Sequence, residues 1–279
     1  MSMRIRIIDA FTDAPFAGNP AAVCLLEGDA WPDEAWMQRV AREMSLSETA
    51  FAHPLPAGGE ADWALRWFTP TVETNLCGHA TLAATHALHS DGRCDGAVRF
   101  ASRSGVLVAG VDADGTITLD FPAAPPEEVP VSEALADALG VEPERTYATG
   151  ALGDLLTVVA DEATVRRMQP DLAAIEAISR RDGRRGIIVT GPAAEAANGY
   201  DFVSRFFGPA SGIPEDPVTG SAHTALAPYW SARLGRDELV GLQASARTGL
   251  VRTAVRGDRV HLAGRAVTVV DGTLHAPPD

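Results

Sequence analysis

A chain of 279 residues, 46% of them hydrophobic and only 6% aromatic, can build one large domain or two ordinary ones with aliphatic cores, and is neither disordered nor fibrous in composition. Its formal net charge of −14, from 37 acidic and 23 basic residues, repels phosphate backbones and argues against nucleic acid as a partner. No lysine occurs, which excludes lysine Schiff-base chemistry and the lysine of a P-loop, and no apolar run approaches the roughly 18–20 residues that span a bilayer.

Taken in chain order, Arg4–Phe11 reads as a strand rather than a signal peptide, because Asp9 interrupts the apolar run at once. Ala21–Leu26 is a second strand. Pro32–Met44 reads as a helix with Asp33 and Glu34 in its first turn. Strands are expected at Glu48–His53 and Asp62–Phe68, then a helix at Gly78–His89 and a meander of Val98–Ser102, Gly105–Val111 and Thr116–Phe121 turning at Asp114-Gly115. Pro122 to Pro130 carries four prolines in nine residues and is the best linker. Beyond it come helices at Ser132–Leu139 and near Pro170–Arg180, with strands at Leu155–Val159, Gly186–Val189 and Asp201–Phe207. A helix at Gly220–Leu234 and a closing meander, turned at Arg256-Gly257-Asp258-Arg259, complete the chain. The basic run Arg180-Arg181-Asp182-Gly183-Arg184-Arg185 reads as a solvated turn.

One unit is used twice. Arg66-Trp67-Phe68-Thr69-Pro70 leads to Cys77-Gly78-His79-Ala80-Thr81, and Arg205-Phe206-Phe207-Gly208-Pro209 leads to Gly220-Ser221-Ala222-His223-Thr224. A weaker echo pairs Gly18-Asn19-Pro20-Ala21-Ala22-Val23 with Gly153-Asp154-Leu155-Leu156-Thr157-Val158. Two motifs in the same order argue for duplicated α/β halves, and duplicated halves favour a ligand at their junction.

The helix starts at Gly78 and Gly220 offer backbone N–H groups and the positive end of a helix dipole, suited to a carboxylate. His79, at such a start, is disfavoured as an imidazolium. Asp216, in a Pro/Gly-rich loop, and Ser221, at the second helix start, are candidate substrate ligands. Glu48, placed against Phe51, is the candidate acid or base. His86 and His89 have no carboxylate or cysteine at metal-binding spacing, so no metal is expected. Cys24, Cys77 and Cys94 form no CxxC pair and suit a reducing cytoplasm. The absence of a GxSxG elbow argues against a nucleophilic serine.

Several motifs together resemble the phenazine-biosynthesis PhzF-like family. They are Asp9-Ala10-Phe11-Thr12 with Phe16-Ala17-Gly18-Asn19-Pro20-Ala21-Ala22-Val23, Ser47-Glu48-Thr49-Ala50-Phe51, Cys77-Gly78-His79-Ala80-Thr81-Leu82, Asp120-Phe121-Pro122-Ala123, and Asp216-Pro217-Val218-Thr219-Gly220-Ser221-Ala222. The resemblance implies an α/β fold of diaminopimelate-epimerase type, two related domains each wrapping a curved mixed sheet around a central helix. It places the domains at 1–123, completed by a C-terminal strand near 265–275, and at 124–264. It also implies a homodimer without cofactor that acts on a small carboxylated substrate. The enzyme for which the family is named isomerises trans-2,3-dihydro-3-hydroxyanthranilate by moving a proton. Carried over by motif, Glu48 transfers the proton, while His79, Asp216, Gly220, Ser221, Asn19 and Gly78 bind substrate.

Fold-mates that racemise amino acids use one cysteine from each half. Here Cys77 stands at one such place, but Pro217 or its neighbours fill the other, so Cys77 reads as a small packed residue. Gln243-Ala244-Ser245-Ala246-Arg247-Thr248-Gly249 departs from the Arg-Gly-Gly that the resemblance leads one to expect. Two alternatives stay open: an epimerase or racemase using Cys77, and a non-catalytic ligand-binding or interaction protein of the same fold.

Overall fold

The structure, a computed structural model, describes residues 3–195 and 198–276. The chain divides into two compact units, Met1–Asp120 with Ala263–Asp279, and Phe121–Leu262. Among the described residues no helix is long and apolar enough to cross a membrane.

The first unit runs β1 (Met3–Ala10), β2 (Asn19–Leu25), α1 (Glu34–Met44), β3 (Glu48–Pro54), β4 (Trp63–Phe68), β5 (Glu73–Thr74), α2 (Gly78–Ser90), β6 (Ala97–Ser102), β7 (Gly105–Val111) and β8 (Ile117–Pro122). The second runs β9 (Glu127–Val129), α3 (Glu133–Leu139), β10 (Arg145–Ala148), β11 (Asp154–Val158), α4 (Glu162–Arg167), α5 (Leu172–Arg181), β12 (Gly186–Pro192), β13 (Phe202–Gly208), β14 (Ile213–Asp216), α6 (Gly220–Leu234), β15 (Glu238–Gln243), β16 (Gly249–Arg256) and β17 (Arg259–Gly264). The last strand, β18 (Ala266–Leu274), returns to the first unit and pairs antiparallel with β1.

Strand order in the first unit is β18-β1-β2-β3-β4-β6-β7-β8, with β5 against β4. In the second it is β9-β10-β11-β12-β13-β15-β16, with β14 against β13. The parallel joins fall at the same places, β2 with β3 and β4 with β6 in one unit, β11 with β12 and β13 with β15 in the other. Each β4–β6 type crossover runs through the central helix of its unit, as a parallel connection requires. The architecture is therefore mixed α/β and repeated.

The repeated Arg-aromatic-Phe sequence has a physical reason in each unit. Arg66 lies over the Phe68 ring at 5.1 Å and forms a bidentate pair with Glu73 of β5 at 2.7 and 2.6 Å. Arg205 lies over Phe207 at 4.9 Å and pairs likewise with Glu215 of β14 at 2.7 and 2.9 Å. The planar guanidinium serves both contacts at once, stacking on one residue and forking onto another. Each clamp fixes the short strand that leads into the central helix.

Helix α2 is buried around nearly its whole girth, from His79 to Leu88, and packs against β1, β2, β3, β7 and β18. Its small residues permit that enclosure, since a helix apolar on all sides belongs inside. Helix α1 covers the opposite face with Trp36, Met37, Val40 and Ala41, against Phe51 and Phe68. In the second unit α6 packs on β11, β15 and β16, while α4 and α5 pack on β12 and β13.

Two local expectations are corrected. The proline-rich stretch is not free of regular structure, because Glu127–Val129 forms β9 and pairs with β10 between the prolines. The basic run is not simply solvated: Arg180 and Arg181 end α5, and Arg185 forms a bidentate pair with the fully buried Asp154.

Candidate active site

Chemistry-bearing side chains gather in the first unit where β2, β3 and α2 all begin. The loop before β2 turns at Gly18, with φ of 65° and a position for Cβ only 2.2 Å from the Ala10 carbonyl oxygen, so no side chain fits there. Buried Asp9 holds the same loop by accepting from the Phe16 N–H at 2.7 Å. The turn delivers Asn19 to the first position of β2. The parallel register sets Ala21 opposite Glu48, so Glu48 and Asn19 occupy neighbouring pleats at one sheet end. Cys77, in extended conformation, is the N-cap of α2, and Gly78 and His79 are its first residues.

Five side chains converge. Ser47 Oγ donates to Asn19 Oδ1 at 3.2 Å, which turns the Asn19 Nδ2 group toward His79 Nδ1, also at 3.2 Å. An amide N–H facing Nδ1 needs its lone pair, so the imidazole proton sits on Nε2. Nε2 lies 3.3 Å from Glu48 Oε2 and 3.4 Å from Ser47 Oγ. Cys77 Sγ stands 3.5 Å from Nδ1. Burial pushes the His79 pKa down to about 3, so the ring is neutral and its 3.3 Å approach to Glu48 is not an ion pair. Glu48 itself is only 8% exposed, a carboxylate withdrawn from bulk water.

The second unit carries its own polar cluster at the start of α6. Thr219 Oγ1 donates to Asp216 Oδ2 at 2.6 Å. Gln243 braces the turn between them: Nε2 donates to the Asp216 carbonyl at 2.7 Å and to Thr219 Oγ1 at 3.1 Å, while Oε1 accepts from Thr219 N–H at 2.8 Å. Ser245 Oγ adds a bond to the Pro217 carbonyl at 2.8 Å. His223 donates from Nδ1 to the Thr219 carbonyl at 2.9 Å, and burial lowers its pKa to about 4. Gly220 and Ser221 open α6.

Neither α2 nor α6 has a side-chain cap or an acidic residue in its first turn. By contrast α1, α4 and α5 are capped by Asp33, Asp161 and Asp171. Capping is the usual way to satisfy the leading N–H groups of a helix, and the two central helices do without it.

Of the residues singled out in the sequence, Asn19, Glu48, Gly78 and His79 come together in the first unit, and Asp216, Gly220 and Ser221 in the second. Sequence reasoning passed over Ser47, which orients Asn19, and it treated Cys77 as packing although its sulfur joins the cluster. It also recorded Gln243 only as part of a departure from the expected motif. The signal for Ser47 was its place beside Glu48; for Gln243 there was none, because its partners lie 24 or more residues away. His86 and His89 point elsewhere, to Thr268 Oγ1 at 3.1 Å and the Cys94 carbonyl at 3.4 Å.

The class of protein is a duplicated mixed α/β fold with a buried Glu–His pair at the start of an uncapped helix. Comparison with known proteins narrows this. The family model described as phenazine biosynthesis-like protein matches residues 8–272. An uncharacterized isomerase of Pseudomonas aeruginosa is 45% identical over 276 residues, covering 99% of this chain and 100% of that protein. The crystal structure of a PhzF-family phenazine biosynthesis protein from Enterococcus faecalis superposes with a TM-score of 0.90 at 40% identity, covering 99% of this chain and 100% of that one. A hydroxyproline epimerase from Agrobacterium vitis, at 14% identity and a TM-score of 0.65 over 100% of this chain and 93% of that one, shares the fold. The chain belongs to the phenazine biosynthesis-like (PhzF-like) family, and the family with its named relatives supports an isomerase-type enzyme.

Proposed function

We propose that this protein is a cofactor-independent isomerase that moves a proton along a small carboxylate-bearing molecule, with Glu48 as the group that takes and returns it. The observation that carries this reading is the buried Glu48 carboxylate 3.3 Å from the Nε2 of a neutral His79. A carboxylate screened from water can remove a proton from carbon, hold it, and deliver it to another carbon of the same substrate. His79, fixed in its tautomer by Asn19, stands beside that carboxylate as a neutral ring. The family resemblance gives Asp216, and the N–H groups of Gly220 and Ser221 at the uncapped start of α6, a part in substrate binding. The protein works in a reducing cytoplasm as a homodimer, which light scattering on a sizing column tests as a particle of two chains.

The experiment is a screen of cyclic and amino-acid carboxylates for deuterium uptake from heavy water. Uptake that vanishes in Glu48→Gln supports the reading. A second reading, a cysteine-assisted epimerase, is favoured by Cys77 Sγ lying 3.5 Å from His79. It predicts that Cys77→Ser loses uptake and Glu48→Gln keeps it. Tight binding with no exchange at all would mark a binding protein.

A further inference from the structure

We propose that Glu48, Cys77 and His79 form a binding site for a soft divalent cation of the zinc class. One carboxylate oxygen, one sulfur and one ring nitrogen lie within 4.8 Å of one another, all on buried residues of the first unit. A thiolate, an imidazole and a carboxylate together make a donor set that selects zinc-like ions over the oxygen-seeking calcium and magnesium. Bond lengths to tetrahedral zinc separate its ligands by about 3.5 Å, so rotations of about an ångström close this cluster onto an ion. The closest pairs are already at 3.3 Å for Glu48 with Nε2 and 3.5 Å for Cys77 with Nδ1.

The surroundings favour it further. Cys77 is the N-cap of the 13-residue α2, which sets its sulfur beside the imidazole. An ion on Nε2 leaves Nδ1–H facing Asn19, whose side-chain amide then turns half round to accept through its oxygen, as outer partners of metal-binding histidines do. Three protein ligands leave a fourth position for water. Each of the three residues offers one donor atom to the same place, so one cation per chain is expected. An ion held there takes the lone pair that Glu48 needs for proton transfer, so occupancy silences the isomerase; this consequence rests on the role proposed for Glu48, whereas the binding does not.

Cobalt(II) is the probe. Titrated into reduced, chelator-stripped full-length protein, it is expected to give one equivalent of binding with a thiolate-to-metal charge-transfer band and the strong visible bands of a four-coordinate ion, both erased by added zinc. Cys77→Ser removes the charge-transfer band. Glu48→Gln keeps the band but weakens affinity by about tenfold or more, at least the loss that outer partners alone cause. Cys24→Ser and Cys94→Ser, at the other two buried thiols, leave the spectrum unchanged. Absence of the band in the unaltered protein overturns the proposal, as does a band that survives Cys77→Ser or an affinity indifferent to Glu48→Gln. Should cobalt bind as described while solvent exchange persists at saturating zinc, the metal site stands and the role of Glu48 falls.

Discussion

The two units lay down one order of strands and treat one position on it in opposite ways. Arg66 is paired with Phe51 across β4 and β3, and Arg205 with Val189 across β13 and β12. Three residues before those partners stand Glu48 in the first unit and Gly186 in the second. A Cβ at Gly186 would sit 2.5 Å from Phe206 Cζ and 2.7 Å from the Phe207 carbonyl oxygen, so the second unit has filled the space where the first keeps a carboxylate. The residue after the positive-φ glycine differs as well. Asn19 follows Gly18 and reaches the imidazole, whereas Asp154 follows Gly153 and is locked to Arg185. Both units retain the arginine clamp and the uncapped central helix. Scaffold and chemistry are thus separable: the copies share what shapes a helix start and differ in what lines it.

That contrast can be broken most sharply at Glu48. Replacing it with Gln should lower solvent-deuterium exchange by about 10²–10⁴-fold, the span of general acid–base catalysis, with the melting temperature little changed. Equal exchange in the variant would leave the first unit with no chemical distinction over the second. Next in size, Gly186→Ala should destabilise the chain by about 3 kcal/mol in urea titration, since one of its collisions is with backbone that has little room to yield. A neutral outcome would mean that the second unit has room for a side chain after all. Asp154→Ala should cost about 2 kcal/mol, below the usual toll of breaking a buried pair because Arg185 still reaches water, and should leave exchange untouched.

The smallest effect compares the two buried histidines of the central helices. His223 takes up a proton near 6.5 when unfolded but only near about 4 when folded, so stability it supports is lost as the pH falls through that window. Between pH 7 and 5.5 the unaltered protein should lose about 1 kcal/mol more than His223→Gln. Parallel pH profiles for the two would show that His223 is not held neutral by its enclosure.

Much of this was legible from residue patterns. Gly78 and Gly220 mark the first residues of α2 and α6, and β3 and β4 follow from short apolar runs bounded by polar or proline residues. What escaped depends on distant partners. Strand β9 exists because Glu127–Val129 finds β10, against the local sense of its flanking prolines, and β5 and β14 are too short to show a period. The short helix α4 also passed unnoticed. At the site, Glu48 and His79 stand in recognisable motifs, but the sulfur of Cys77 joins them only through the extended backbone at the helix cap. Gln243 braces the Asp216 turn from a strand whose own sequence gives no hint of it. Arg185 looked like one of several solvated arginines until the fold buried Asp154 beside it.

The pairing of β18 with β1 also sets an order of completion. Glu48 and His79 emerge early from the ribosome, yet the sheet that carries them has an open flank at β1 until residues 266–274 have been made. The half that holds the Glu48–His79 cluster is thus the last to be sealed. An unfinished or clipped chain would display β1 as a bare edge, a target for quality control and for pairing with strangers, before it could ever turn over a substrate.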